Sequence, residues 1–212
     1  MTISHAPEPG LRERKRLATR RAIQVAVLEL LEERGLDGVT VDEISRMADV
    51  SPRTFFNYFA SKEEAMLGDA PELPDQDVID EFLDGRGSVL DDLAGVLERA
   101  GEGATVDAEM LQLRHRLLKQ FPHLFAMRMA TMRAFEESIA EIVALRLERD
   151  EPALAADPDA RSGKARLITL VAFAAMRHAW TAWAHSATPA LLTDKLHESF
   201  AELRSLFASE RP

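Results

Sequence analysis

The sequence predicts an all-α protein with a small N-terminal head, residues 1–67, and a larger helical body, residues 68–212. Three observations carry that class. Apolar residues recur at spacings of three and four along nearly every segment, the period of one buried helix face. Gly, Pro and Ser/Thr residues stand where helices of ordinary length would start or stop. No segment alternates apolar and polar residues as a half-buried strand does.

From Leu17, the positions Ile23, Val27, Leu30 and Leu31 form one stripe and Gly35 ends it as a C-cap, which places a first helix over 11–34. Thr40 followed by Glu43 is a capping box, in which hydroxyl and carboxylate satisfy free amides at a helix start. A second helix then runs to about Ala48, with Val41, Ile44 and either Met47 or Ala48 facing inward. Ser51 is an N-cap type, and Pro52 suits a first helical position because its missing N–H costs nothing there. A short third helix over 52–59 follows, and Ser61 with Glu64 opens a fourth. Gly68, Pro71 and Pro74, set among acids, mark the boundary of the head. In the body, helices are expected near 76–84, 88–100, 106–120, 122–150, 161–186 and 189–209. Breaks are expected at Gly85 and Gly87, Gly101 and Gly103, Pro122, the Pro152 to Pro158 stretch and Pro189.

Composition removes several functions. The chain has no Cys, which excludes thiol catalysis, zinc–thiolate sites and iron–sulfur ligation and suits a reducing cytoplasm. The histidine pairs lack carboxylates in a ligand pattern, and Asp75, Asp77 and Asp80 lack the Gly and Glu of a calcium loop, so neither metal nor cofactor is expected. Met1 to Gly10 has neither the basic start nor the apolar core of a secretory signal. Leu167 to Ala184 is the longest apolar stretch, but Thr169, Arg177, His178 and Thr181 mark it as a buried helix rather than a membrane span. No nucleophile elbow, zinc-protease pair, Walker loop or dinucleotide fingerprint occurs, so catalysis is not expected.

The formal net charge of -10 argues at first against a nucleic-acid partner. Its distribution reverses that inference: residues 1–62 carry ten Lys+Arg against nine Asp+Glu, net +1, and the remainder carries -11. Between Arg12 and Arg21, six basic residues face only Glu13. Such a run is either a solvated helix face or part of a phosphate-binding surface.

The second and third helices are joined by Asp49, Val50 and Ser51, and the later one is short and polar-aromatic, as in a helix-turn-helix. Phe55 and Phe59 lie four apart and can anchor a core, which leaves Pro52, Arg53, Thr54, Asn57 and Tyr58 for a groove. Arg53 has the donor fork for guanine O6 and N7, Asn57 the amide for adenine, and Thr54 the methyl for thymine. Thr40, Tyr58, Lys62 and the basic residues opening the first helix, Arg16 and Arg20 among them, suit phosphate oxygens by type and position, and Ser51 at the helix start is counted with the DNA-binding residues. The same aromatic-rich helix also fits a small bundle with no DNA role.

The run Ala26 to Lys62, with Gly35, Thr40, Val41, Ile44, Ala48, Val50, Ser51, Thr54, Phe55, Phe59 and Lys62, followed by Glu63, resembles the DNA-binding head of TetR-family transcriptional regulators. Two positions where that family usually has Gly are Asp49 and Arg53 here, and a frequent phosphate-binding Tyr is Phe56. The resemblance implies a homodimer whose heads read a palindromic double-stranded DNA operator, acting as a repressor released by a small-molecule effector. The body, from FPHLFAMRMATMRAFEESIAEIVALRLERD to the helix ending WTAWAHSA, is similar to the mycofactocin-regulator-like subgroup. By the same resemblance, the last two helices build the dimer, for which Leu167, Leu170, Leu196, Phe200 and Leu203 offer a stripe; a monomer core uses the same residues.

Met110, Leu117, Phe125, Met129, Met132, Phe173, Met176 and Trp180 form a soft apolar set that suits either a largely apolar effector or plain core. Arg177 beside His178 in an apolar helix would anchor an anionic group of that effector or pair with an acid inside the protein. A helical lipid or small-molecule carrier without DNA binding is the alternative reading of the whole chain. Under the regulator reading, the effector shifts the helix near 106–120 and the connection through 68–75.

Overall fold

The local signals act where they stand. In the computed structural model, Gly35 adopts φ +71° and its N–H donates to Leu31 O at 2.9 Å, which stops the first helix. Thr40 Oγ accepts from the Glu43 N–H at 3.3 Å, and the Glu43 carboxylate accepts from the Thr40 N–H at 3.0 Å, completing the capping box. Ser51 and Ser61 cap their helices in the same sense, accepting from the N–H groups of Thr54 and Glu64.

The structure describes residues 10–69, 71–102, 108–184 and 191–208. Regular structure among them is helical: α1 (Leu11–Arg34), α2 (Val41–Met47), α3 (Pro52–Tyr58), α4 (Lys62–Leu67), α5 (Gln76–Asp84), α6 (Val89–Glu102), α7 (Ala108–Gln120), α8 (Pro122–Asp150), α9 (Pro152–Ala155), α10 (Pro158–Ala184) and α11 (Leu192–Ala208). The expected breaks at Gly103 and Pro189 lie outside the described residues. No helix among the described residues is long and apolar enough to cross a membrane.

Two elements differ from the sequence expectation for one reason. Pro152 and Pro158 read as the limits of a break, yet each occupies the start of a helix, where a missing N–H goes unnoticed. Asp157 completes the second start by accepting from the Ala160 N–H at 3.0 Å, so α10 begins three residues earlier than the apolar pattern suggests. In α2 the inward position is half-buried Ala48 rather than Met47, which is 48% exposed.

The chain packs as two units. The first comprises Met1–Asp69 and Val106–Arg128, so α7 and the first turns of α8 share a core with α1 to α4. Ile23, Val27, Leu28 and Leu31 of α1 meet Ile44, Phe55, Phe59 and Met66, and Leu117 and Leu124 close the same cluster. The second unit comprises Ala70–Thr105 and Met129–Pro212, with Phe82, Leu93, Leu97, Ile139, Val143, Phe173 and Phe200 in its core.

Among the described residues each unit buries one arginine, and the two are satisfied very differently. In the second unit Arg146 is fully buried. Its guanidinium donates to Phe82 O, Gly87 O and the carboxylates of Asp92 and Asp150, and it lies 5.5 Å from the Phe82 ring centroid. It therefore fastens the α5–α6 turn to α8. Gly85 leaves room for that pair, because a Cβ there would stand 2.5 Å from the Asp92 carboxylate and 2.6 Å from the guanidinium, and one of them would have to shift. In the first unit Arg114 donates its Nε–H to Met66 O at 2.9 Å, while its buried Nη2 has no partner. Burial, then the nearby Arg128 charge, push the Arg114 side chain down to about 10.

A buried ion that loses its partners costs far more than one replaced by an apolar group. Arg146→Ala is expected to destabilise by about 3–5 kcal/mol, because it strands two carbonyls and a half-buried carboxylate. Arg114→Met is expected to stay within about 1 kcal/mol of the parent, since it removes an incompletely bonded charge. Urea unfolding of both variants tests the contrast, and equal losses would contradict it.

Candidate nucleic-acid interface

Helix α3 has seven residues and divides sharply by face. Phe55 is fully buried, and Phe59, which follows the last turn, is 2% exposed; their ring centroids lie 6.0 Å apart. These anchors turn Pro52, Arg53, Phe56 and Asn57 outward, with Thr54 and Tyr58 half-buried beside them. Arg53 and Asn57 are thus displayed on the exposed face, the arrangement that base-edge readout requires. Ser51 Oγ lies 2.8 Å from Thr54 Oγ1, so these two hydroxyls are already engaged in the cap.

The basic start of α1 lies alongside. An open groove of about 690 Å³ has Arg12, Lys15, Arg16, Thr19 and Arg20 on one wall and Thr54, Asn57 and Tyr58 on the other. Arg16 is exposed and pairs with Glu13 at 2.7 Å, a bond that holds the Glu13 carboxyl below its usual range and raises Arg16. An exposed pair of this kind contributes little in water, so a phosphate oxygen can take its place. A second groove runs along α2 and the turn, lined by Asp42, Ser45, Arg46, Asp49, Val50, Ser51 and Pro52.

Three further expected phosphate contacts also carry bonds within the protein. Lys62 Nζ donates to Leu36 O at 2.6 Å and Val39 O at 2.8 Å, which ties α4 to the α1–α2 loop. Thr40 spends its hydroxyl on Glu43, and this bonding, led by the Thr40 N–H, holds the Glu43 carboxyl below its usual range. Arg20 is half-buried and donates to Asp69 Oδ1 at 2.6 Å and Tyr58 O at 3.0 Å. Sequence reasoning missed Thr19 in the groove wall and Asp69 behind it. Thr19 carries no charge to mark it, and Asp69 finds its partner 49 residues away, beyond any local pattern.

The body candidates separate between the two cores. Met110 and Leu117 belong to the core of the first unit, whereas Met132, Phe173 and Met176 gather in the second. Phe125 and Met129 are exposed, at 45% and 37%. Arg177 is exposed, while Trp180 is half-buried and meets Trp183 edge-on at 5.6 Å. His178 Nδ1 lies 2.9 Å from Ser199 Oγ. Of the expected dimer stripe, Leu196 and Phe200 are core residues and Leu203 packs beside them, but Leu167 and Leu170 are exposed, at 62% and 40%.

Known proteins match this arrangement in both segments. The family model for bacterial regulatory proteins of the tetR family matches residues 23–66, from the first buried residue of α1 into the last turn of α4. The model described as the MftR C-terminal domain matches residues 88–208, more than half of the chain. The chain belongs to the TetR family. It is 32% identical over 145 residues to the HTH-type transcriptional regulator TcmR of Streptomyces glaucescens, an alignment covering 65% of this chain and 64% of that protein. It is 31% identical over 134 residues to MftR of Mycobacterium tuberculosis, named as a putative mycofactocin biosynthesis transcriptional regulator, covering 63% of this chain and 68% of MftR. A solved chain, the Thermus thermophilus TetR-family repressor FadR in complex with lauroyl-CoA, overlays with a TM-score of 0.48 at 20% identity, covering 91% of this chain and 95% of FadR.

In this TetR-family head, Asp49 stands where Gly is usual, and its backbone explains the preference: φ is +54°, in the left-handed region that a Cβ disfavours. Asp49→Gly is expected to hold or raise stability, by up to about 1 kcal/mol, and Asp49→Val to lower it by about 1–2 kcal/mol. Paired denaturant titrations measure both, and a less stable Gly variant would show that the Asp49 carboxylate stabilises the turn by more than its left-handed backbone costs.

Proposed function

We propose that the chain is a ligand-responsive transcriptional regulator acting as a repressor: a homodimer that grips a palindromic operator and lets go when a small, largely apolar effector binds. The observation that carries this reading is the α3 face, where buried Phe55 and Phe59 hold Arg53 and Asn57 outward beside a groove walled by the basic start of α1. Base edges and phosphates would be met together. The head, 1–67, takes the DNA; the body, 68–212, takes the effector and the second copy.

Dimerisation is supported by α10. Its inner side is fully buried through Ala165, Thr169, Ala172 and Phe173, yet Leu167, Leu170 and Ala174 line the opposite side in solvent. Apolar residues repeated at helical spacing on an otherwise packed helix suit a self-complementary seam. For the effector, Met132, Phe173 and Met176 supply adaptable packing in the second unit, where a ligand can displace thioethers at small cost. Within the first unit, Arg114 on α7 holds the last turn of α4 through Met66 O, so a shift of α7 changes a bond to the head. The reading also places the protein in the cytoplasm, with the operator.

Selecting bound fragments from host genomic DNA tests the core claim and names the operator. On a recovered duplex, log affinity is expected to fall with log salt at about 0.9 per neutralised phosphate. Arg53→Ala and Asn57→Ala should each reduce discrimination among operator variants by roughly 1–3 kcal/mol with the fold intact. Failure of the parent protein to retain any duplex would end the proposal. Sedimentation of Leu167→Asp/Leu170→Asp is expected to give monomers where the parent gives dimers, and an unchanged dimer would move the seam off α10.

A further inference from the structure

Arg20 is held by three separate groups at the C-terminal end of α3. Its Nε–H donates to Asp69 Oδ1 at 2.6 Å, its Nη2 pairs with the same carboxylate, and its Nη1 donates to Tyr58 O at 3.0 Å. The guanidinium carbon lies 4.2 Å from the centroid of the Phe59 ring. Tyr58 is the last residue of α3, so its carbonyl is one of those a helix end leaves without an internal partner. A guanidinium satisfies that carbonyl and also favours the negative end of the helix dipole.

Asp69 is held in turn through both its backbone and its side chain. Arg128, at the start of α8, donates to Asp69 O at 2.7 Å, and Gln24 of α1 donates to Asp69 Oδ2 at 3.4 Å. The residue before it, Gly68, sits at φ +76° with no room for a Cβ, which would stand 2.7 Å from the Arg114 guanidinium. The carboxylate that aims Arg20 therefore stands on a fixed piece of chain.

We propose that Arg20 and Asp69 are a positioning pair for operator binding: Asp69 orients the Arg20 fork, and Arg20 caps and clamps the C-terminal end of α3, setting the pose in which Arg53 and Asn57 meet the bases. Arg20 in this role is not a phosphate contact, although it belongs to the basic run. The inference rests on the DNA-binding reading above and assigns to Asp69 a role that its charge alone would oppose. Within a Debye length of DNA, a carboxylate only repels phosphates, so simple electrostatics makes its removal favourable.

Asp69→Asn separates positioning from simple repulsion by sign. The substitution is close to isosteric, and the parent side chain is 59% exposed, so the fold should persist and can be checked by its thermal midpoint. The carboxylate end of the pair is open to solvent, so the expected effect is modest: affinity for the selected duplex falls roughly three- to fivefold, and the salt slope stays as in the parent. Arg20→Lys keeps the charge but loses the planar fork, and should give the same loss; the double variant should add little, because the two residues act as a unit. A second measurement needs no DNA. Hydrogen exchange of the Phe59 amide, which donates to Phe55 O at 3.0 Å and closes α3, should quicken by a similar factor in both single variants. Asp69→Asn binding as tightly as the parent or tighter, or a Phe59 amide with parental protection, overturns the proposal. So does an Arg20→Lys variant with parental affinity beside an Arg20→Ala variant whose salt slope drops by about one phosphate, which would make Arg20 a DNA ligand. If the parent protein retains no duplex, the proposed function fails, and the exchange measurement alone decides whether the pair positions α3.

Discussion

A helix of seven residues cannot maintain itself in water, because the cost of its first turn is not recovered over so short a length. Everything α3 displays therefore depends on how its two ends and its inner face are held. Phe55 and Phe59 supply the inner face by entering the core of the first unit. Ser51 and Pro52 define the start, one by accepting from the Thr54 N–H and the other by needing no bond at all. Arg20 closes the far end through Tyr58 O. With those groups fixed, the exposed Arg53 and Asn57 would lose little freedom in the proposed operator complex, which favours affinity without any added contact.

Charge is arranged to the same purpose. The basic residues between Arg12 and Arg21 would be wasted on a chain of net charge -10 if they were scattered. Arg12, Lys15, Arg16 and Arg20 instead line one wall of the groove beside α3, where in the proposed complex they would act within a screening length of the phosphates. Some of this apparent positive surface is nevertheless internal structure. Lys62 and Arg20 spend donors on backbone carbonyls, so a count of basic residues overstates the number of phosphates the head would neutralise in the proposed complex.

What is legible in the sequence is whatever is decided within one or two turns of chain. Thr40 with Glu43, Ser51 with Pro52, and Gly35 state their conformations because their partners lie within four residues. The apolar period and its stops predict α1 over 11–34 and α8 over 122–150, the bounds the structure shows. Pro158 is ambiguous because proline is both a breaker and a starter, and only the bond from the Ala160 N–H to Asp157 distinguishes the two. The roles of Lys62, Arg20 and Asp69 are not legible at all, since their partners are 23 to 49 residues distant. Likewise, one apolar stripe on α10 and α11 reads the same whether a residue faces its own core, as Leu196 does, or solvent, as Leu167 does.

The composition of the first unit bears on how such proteins are taken apart and recombined. Val106–Arg128 joins its core although it lies far downstream of Asp69, and buried Leu117, Leu118 and Leu124 cover apolar residues of α1 and α4. A fragment ending at residue 67 would lose that cover, and also the Asp69 and Arg114 side chains that fasten its recognition helix and its last helix. The reading head is thus not a bead that can be clipped from the string. A chimera that transplants the proposed operator preference must carry α7 and the first turns of α8 with it, or supply a host whose own helix offers the same leucines.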